Sequence, residues 1–217
     1  MADEQSPMEF DAEKVPEVLP ILPLYDAALF PKMVLPLVVL QGESVQLVDE
    51  AMAKDRIIGL MVSKKPEEKT KPGREDLAQV GTSALILKMA KTQDNRTQLL
   101  VQGLSRFKII AFEDGKPYLV ARVELLKDVE KKDNEIEALM SNIIGQFERV
   151  VELSPGLPPE IAQMAKTIQE AGTLADMIAS TINSTPEEKQ QVLEIQDVKL
   201  RMKAVTRLLN HQLDILE

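Results

Sequence analysis

Cysteine and tryptophan are absent from this chain, histidine occurs once, and aromatic residues make up only 3% of the 217 positions. Without cysteine there can be no disulfide, no thiolate metal ligand and no thiol nucleophile. The single histidine, His211, lies beside a polar position of a helical repeat, where a solvated side chain is expected. Because 44% of the residues are apolar, a core is available, and it must be built from Leu, Ile, Val and Met.

Basic residues are outnumbered by acidic ones, 26 Lys and Arg against 35 Asp and Glu, so the formal net charge is -9. Nucleic-acid binding needs clustered Lys and Arg to displace counterions. The best basic stretch, Arg106-Phe107-Lys108, alternates as an ordinary half-buried strand does, with Arg106 and Lys108 on one face and Phe107 on the other. We therefore expect no nucleic-acid partner through this region.

Long apolar runs are missing as well. No stretch approaches the roughly 18–20 residues of a membrane span, and residues 1–17 lack the apolar region of a secretory signal. The expectation is a cytoplasmic protein without membrane contact, whose residues 1–17 form a flexible acidic tail.

Catalytic motifs are not found either. There is no G-x-x-x-x-G-K-[ST] phosphate-binding loop, and Asp133, Glu135 and Glu137 lack the glycine of a calcium loop. We assign no catalytic residue, no metal site and no cofactor to this chain. A Ser-Lys dyad cannot be recognised by spacing, so a small hydrolase stays open as an alternative.

What the chain does have is an apolar run interrupted by prolines at 20, 23, 31 and 36. Proline cannot donate to a sheet ladder, so the run predicts short strands at a sheet edge or barrel rim. Further short apolar runs predict strands, with Gly103 and Asp114-Gly115 as turns, and residues 43–54 have the period of one helix. Residues 18–129 are thus predicted to form a β-barrel with one inserted helix. The predicted strands after that helix cover 56–62, 81–89, 97–102, 105–111 and 118–126.

From 130 to 217 the apolar period becomes helical, which predicts an α-helical bundle and an α+β protein overall. A first helix should end at Ser154-Pro155-Gly156 and a second near Gly172. Thr173 with Asp176 predicts the cap of a third helix, and Thr185-Pro186-Glu187-Glu188 predicts a capping box. The helix that begins there shows no stop signal before Glu217.

Apolar residues on this last helix alternate three and four apart, as in a coiled coil. One alternative is packing within the bundle, and the other is a coiled-coil arm that pairs subunits. This heptad seam consists of Ile195, Val198, Met202, Val205, Leu209 and Leu216, with Gln212 as its polar member.

A contact site for other polypeptides would need exposed apolar area. Alternation along 97–102 places Leu100 on the polar side between Gln98 and Gln102. In the 35–40 run it places Pro36, Val38 and Leu40 on one face. We hypothesise that Pro36 and Leu100, together with Met33, form a shallow apolar substrate contact; the alternative is that all three are core or isolated surface residues.

Several ordered segments from residue 19 to the end resemble the N-terminal region of Lon-type ATP-dependent proteases. Beyond the proline-containing run, these segments are 44–51 with 55–60, 76–82, 101–106, 117–123, 172–176 and 188–194. The chain differs from the common pattern at Tyr25, where arginine is frequent, and at Lys32, where glycine is frequent. Both differences fall at an expected surface turn.

The resemblance implies a PUA-like β-barrel, followed by an α-helical subdomain that leads towards an ATPase ring absent from this sequence. It implies recognition of unfolded, damaged or tagged proteins and support of hexamer assembly. ATP, Mg and the Ser-Lys protease chamber would belong to the parent protein, so this fragment would not be an enzyme. The alternative is a free-standing adaptor or scaffold with the same barrel and no protease.

Overall fold

The computed structural model describes residues 14–40, 42–64, 72–94 and 96–217, and most of the predicted tail at 1–17 lies outside these ranges. Six strands and six α-helices form an α+β structure in the described residues. The strands are β1 (Val18–Leu24), β2 (Val34–Val39), β3 (Ile57–Val62), β4 (Val80–Lys91), β5 (Thr97–Glu113) and β6 (Val120–Leu126). The helices are α1 (Glu43–Met52), α2 (Asn134–Leu153), α3 (Glu160–Thr167), α4 (Ala171–Thr181), α5 (Pro186–Leu193) and α6 (Val198–Leu216).

The six strands form one sheet in the order β2-β5-β4-β3-β1-β6, and β6 also pairs with β5. The strand pairings therefore lead from β5 through β4, β3, β1 and β6 back to β5. Among the described strands, β2 pairs with β5. We call residues 18–126 the sheet lobe. Helix α1 covers one side of this lobe through Leu47, Val48 and Ala51.

Strand β1 contains Pro20 and Pro23 but does not lie at the edge of the sheet, so of the two predicted positions, a sheet edge or a barrel rim, the edge was wrong for this strand. Residues 18–20 pair with β6, whereas residues 21–24 pair with β3. Each half of β1 pairs with a neighbouring strand on one side only. The prolines, which lack an N–H, can therefore be accommodated with that backbone position facing the unpaired side. Strand β2, which contains Pro36, does lie at an edge, as predicted.

Strand β5 is one 17-residue strand, and the predicted turn at Gly103 was wrong. The Gly103 N–H donates to the Met33 carbonyl, and a Cβ at Gly103 would lie 2.2 Å from the Phe30 carbonyl oxygen. Glycine is needed at this position for close backbone approach rather than for chain reversal. The turn predicted at Asp114-Gly115 is confirmed, with Gly115 at φ 109°.

Helices α2 to α6 form a second lobe, the helical lobe (134–217). The capping box at Thr185 is confirmed: Thr185 Oγ1 accepts from the Glu188 N–H at 3.2 Å, and Glu188 Oε2 accepts from the Thr185 N–H at 2.8 Å. The predicted uninterrupted last helix was wrong, because α5 ends at Leu193 and α6 begins at Val198. Asp197 caps α6 by accepting from the Leu200 N–H at 2.9 Å.

Candidate functional site

One side of strands β2, β5 and β4 carries exposed apolar side chains, and we call it the open face. It has three cross-strand rows, with the middle row formed by Pro36, Leu100 and Lys88. The flanking rows are Val34, Gln102 and Leu85 on one side and Val38, Gln98 and Ala90 on the other. The predicted pair, Pro36 and Leu100, therefore lies at the centre of the open face, directly opposite each other.

Alternation explains why these residues share a side. Leu99 is 3% exposed and Val101 is fully buried, so Leu100 between them must point the other way. In β2, Leu35 and Leu37 pack against the core, while Val34 and Val38 are 52% and 56% exposed. Pro36 and Leu100 lie on the side of the sheet that alternation predicts, and their role in substrate contact stays a prediction.

Met33 is not brought into the open face. It lies one residue before β2, is half-buried, and packs against the apolar cores of both lobes. The alternation that exposes Val34 turns the preceding side chain inward. Met33 therefore lies at the junction of the lobes and outside the open face, and its role in substrate contact stays a prediction.

A groove of about 800 Å³ borders the free edge of β2. Its apolar walls include Pro23, Val38, Leu40, Leu47 and Pro117. The open face and this groove meet along β2, so that apolar surface continues from one to the other.

Pro36 affects what the free edge of β2 can bind. The Gly103 N–H donates to the Met33 carbonyl at 2.8 Å, so the Met33 carbonyl faces β5. In an antiparallel pair the backbone groups alternate sides, and those of Val34, Pro36 and Val38 consequently point to the free edge. Since proline has no N–H, an added strand would lack a donor at the middle of this edge.

A polar cluster fixes one wall of the groove. Glu50 on α1 accepts hydrogen bonds from Lys116 at 2.8 Å, from Tyr118 at 2.5 Å and from Gln46 at 3.1 Å. These bonds, with that of Lys116 the largest influence, lower the pKa of Glu50 from 4.5 to about 2. Lys116 and Tyr118 also line the groove, so this cluster connects α1 to the turn before β6.

A buried polar cluster lies at the junction of the lobes and was not predicted from the sequence. Arg106 on β5 is 3% exposed and binds both carboxylate oxygens of Asp176 on α4, at 2.8 and 2.6 Å. Its Nε donates to the Leu193 carbonyl at 2.9 Å. The predictions that Arg106 lies on the solvated side of a strand and that Asp176 caps a helix were wrong.

Arg201 on α6 extends the same cluster. It is fully buried and binds both carboxylate oxygens of Asp128, at 3.0 and 2.6 Å, while its Nε donates to the Ile195 carbonyl at 2.8 Å. Arg201 also lies 3.5 Å from Asp176. We call Arg106, Asp176, Arg201 and Asp128 the junction cluster. Its two positive and two negative charges balance, and Asp128, whose side chain is 37% exposed, is the member that reaches solvent.

The heptad seam lies against the chain's own helices. Val198, Met202, Val205 and Leu209 are fully buried in the core of the helical lobe, and Leu216 packs against that core. Ile195 is half-buried in the connection before α6. The structure thus uses this seam within the bundle, which is the first of the two alternatives, and pairing of subunits through it stays a prediction.

The basic residues considered for nucleic acid are engaged with carboxylates. Lys108 pairs with Glu124 at 3.1 Å and Arg122 with Glu113 at 3.1 Å, and Phe107 is fully buried. Among the residues that the structure describes, no group of His, Asp and Glu could hold a metal ion. None of the helices in the described ranges is long and apolar enough to cross a bilayer.

These observations define the class: an α+β protein with an exposed apolar sheet face and a helical lobe joined to it by buried ion pairs. A family model described as the ATP-dependent protease La (LON) substrate-binding domain matches residues 18–211. The chain belongs to this Lon family.

Two relatives of known name agree with this assignment. The chain is 51% identical over 205 residues to a Lon protease of Desulfosudis oleivorans and 50% identical over 207 residues to one of Syntrophus aciditrophicus, each match covering 94% of this chain. It spans only 25% and 26% of these relatives, about a quarter of their length.

Two solved structures share the fold. The N-terminal domain of a Mycobacterium avium complex Lon protease has a TM-score of 0.72 at 23% identity, covering 89% of this chain and 98% of that one. A Lon N-terminal domain protein from Xanthomonas campestris has a TM-score of 0.63 at 16% identity, with coverages of 88% and 97%.

Proposed function

We propose that this chain recognises unfolded, damaged or tagged polypeptides for an ATP-dependent Lon-type protease, and that the open face is where it contacts them. The observation that carries the proposal is the Pro36–Leu100 pair at the centre of a face on which Lys88 is the one charged residue. The whole chain has a net charge of -9, whereas the open face has one charged residue. The open face is therefore suited to binding apolar side chains.

The chemistry of the partner follows from this face. Folded proteins keep apolar side chains buried, so an exposed apolar surface selects chains that have lost their fold. Val34, Val38 and Leu100 supply contact area, and the groove beside β2 extends it.

The remaining parts of the proposal rest on the family. The chain would act as a binding module without enzymatic activity of its own, inside a cytoplasmic hexamer that serves protein quality control. ATP and Mg would bind to the parent's ATPase ring, whose residues are not in this sequence, and peptide cleavage would occur in its Ser-Lys protease chamber. The sheet lobe would be a PUA-like barrel, as the closed run of strand pairings suggests.

Leu100→Asp tests the contact site. We expect affinity for a reduced, unfolded protein to fall by about tenfold or more, because a carboxylate in an apolar contact loses its hydration. The matched control is Ile110→Asp, which places the same charge at a 53% exposed apolar position farther along β5 and outside the open face. Equal affinity of the wild type and both variants, with unchanged circular dichroism, would remove the open face from the proposal.

A further inference from the structure

Lys189 on α5 is a half-buried lysine whose ammonium group has no carboxylate partner among the residues that the structure describes. Its Nζ donates to the Ser180 carbonyl at 3.1 Å, and burial lowers the pKa of this amine. The two other half-buried lysines in the described ranges, Lys108 and Lys199, bind carboxylates at 3.1 Å and 2.7 Å. Lys189 therefore has a charge that burial disfavours and that no neighbouring negative charge offsets.

The one hydrogen bond of the Lys189 side chain does not require a charge. Ser180 lies in the last turn of α4, where the backbone carbonyls have no partner inside the helix. An ammonium group has three N–H donors, and this contact uses one of them. A secondary amide at the same nitrogen would keep one N–H for the Ser180 carbonyl and would carry no charge.

A second polar group beside Lys189 has no partner. The Ser184 hydroxyl oxygen is buried and makes no hydrogen bond to any residue that the structure describes. Thr185 is the N-cap of α5, so Ser184 and Lys189 hold the positions before the cap and in the first turn whose side chains pack on each other. Because an ammonium group accepts no hydrogen bond, the Ser184 hydroxyl cannot donate to it. An acyl group on the lysine nitrogen would bring a carbonyl oxygen that can accept this bond.

We propose that Lys189 is a modification site at which an acyl thioester acylates the side-chain amine. The ammonium group first gives one proton to water. The neutral nitrogen then attacks the thioester carbonyl carbon, the C–N bond forms as the C–S bond breaks, and the leaving thiolate takes the second proton from nitrogen. The product is a neutral amide, which donates to the Ser180 carbonyl and accepts from the Ser184 hydroxyl.

The surroundings favour acylation at Lys189 over the other half-buried lysines. Acylation of Lys199 would break its ion pairs with Asp133 and Glu135, whereas acylation of Lys189 breaks none among the described residues. The neutral amine is also the nucleophilic form of lysine, and burial without a charge partner favours that form. Part of the Lys189 side chain is exposed, so a thioester can reach it. This inference does not depend on polypeptide binding by the open face.

The test measures acetylation of each lysine in the complete 217-residue chain with acetyl-coenzyme A. After a timed reaction the chain is unfolded and the remaining amines are labelled with deuterated acetic anhydride, so that mass spectrometry gives the modified fraction at each lysine. Lys54 and Lys88 are the references, because both are exposed and have no ion pair among the described residues. Lys189 should be acetylated about threefold or more faster than either reference, since its amine is more often neutral. A rate at or below that of both references would overturn the inference.

Two variants at Ser184 test whether the missing charge partner causes the reactivity. Ser184→Asp places a carboxylate beside the ammonium group, which favours the charged amine, so acetylation of Lys189 should slow to about the rate of Lys54. Ser184→Asn has nearly the same size as that variant but no charge, and Lys189 should react there as fast as in the wild type. Equal rates at Lys189 in the two variants, with unchanged circular dichroism, would also overturn the inference. If either variant does not fold, the comparison of Lys189 with Lys54 and Lys88 in the wild type decides.

Discussion

At the scale of single residues, the junction cluster depends on a glycine. A Cβ at Gly172 would lie 2.4 Å from Asp128 Oδ2 and 3.3 Å from Arg201 Nη1. Asp128 would have to move, which would disturb its two bonds to Arg201. We expect Gly172→Ala to lower the free energy of unfolding by about 1–3 kcal/mol, measured by urea denaturation.

Gly145→Ala is the control, and it is expected to change the free energy of unfolding in the opposite direction. Gly145 lies in α2, is exposed, and has open space where a Cβ would be placed. Gly145→Ala should therefore raise the free energy of unfolding by about 0.5–1 kcal/mol, as expected when glycine is replaced inside a helix. A stabilised Gly172→Ala variant would contradict the close packing of the junction cluster.

A second residue-scale prediction concerns Glu50, whose hydrogen bonds lower its pKa from 4.5 to about 2. A carboxyl with a lowered pKa in the folded state stabilises the protein above its unfolded pKa, and this stabilisation is lost as the pH falls towards the folded pKa. Glu50→Gln should therefore melt below the wild type at pH 7, and the difference in Tm should narrow between pH 4.5 and pH 2. A difference that does not change with pH would show that Glu50 is not ionised in this role.

Lys32 joins the two lobes from a strained backbone position. It has φ 64°, in the left-handed region that favours glycine. Its ammonium group binds Glu170 at 2.5 Å and Thr173 at 3.2 Å, across the two lobes. The lysine thus adds an exposed contact between the lobes at a position where its backbone conformation is unfavourable.

At the scale of elements, predictions from the sequence were correct where neighbouring residues alone determine the local structure. Period-two alternation placed Leu100 and Pro36 correctly, and the capping box at Thr185 located the start of α5. Prediction from the sequence failed where a contact between residues far apart in the chain determines the local structure. Gly103 lies inside β5, where the Phe30 backbone approaches it closely. Helix α6 begins after a break, where Asp197 caps it beside a bridge to Val129.

Thr185 provides the test at this scale. Thr185→Ala removes the hydroxyl that accepts from the Glu188 N–H, so we expect a loss of about 1 kcal/mol in the free energy of unfolding. For a chain of this size the Tm should fall by about 2–4 °C in calorimetry. Thr206→Ala is the control, because the Thr206 hydroxyl only donates to the Met202 carbonyl inside α6, and its removal should change the Tm little. Equal effects of the two substitutions would contradict the role of the cap.

At the scale of the whole molecule, the two lobes share their interior. Phe30 belongs to the sheet lobe in sequence but is fully buried in the core of the helical lobe. Gln190 on α5 donates to the Val80 carbonyl on β4 at 3.0 Å. The junction cluster then joins β5, which also contains Leu100, to α4 and α6. None of this could be predicted from the sequence, because each contact joins residues that are far apart in the chain.

This arrangement makes cooperative unfolding of both lobes the expected behaviour, and the chain offers a natural way to measure it. Both tyrosines, Tyr25 and Tyr118, lie in the sheet lobe, whereas most of the helix lies in the other lobe. Tyrosine fluorescence therefore follows the first lobe and circular dichroism at 222 nm mainly the second. In the wild type the two urea transitions should coincide, as in a two-state reaction.

Asp176→Asn should separate the two transitions. It removes one of the two negative charges between Arg106 and Arg201, which are 3% and 0% exposed, and leaves buried positive charge without its partner. Breaking such a pair costs about 3–5 kcal/mol, and the loss falls on the junction rather than within either lobe. The double variant Arg106→Met/Asp176→Leu, which removes both charges of that pair, should lose less stability than Asp176→Asn. Coincident transitions in Asp176→Asn, at the midpoint of the wild type, would show that Phe30 and the apolar contacts join the lobes without help from the junction cluster.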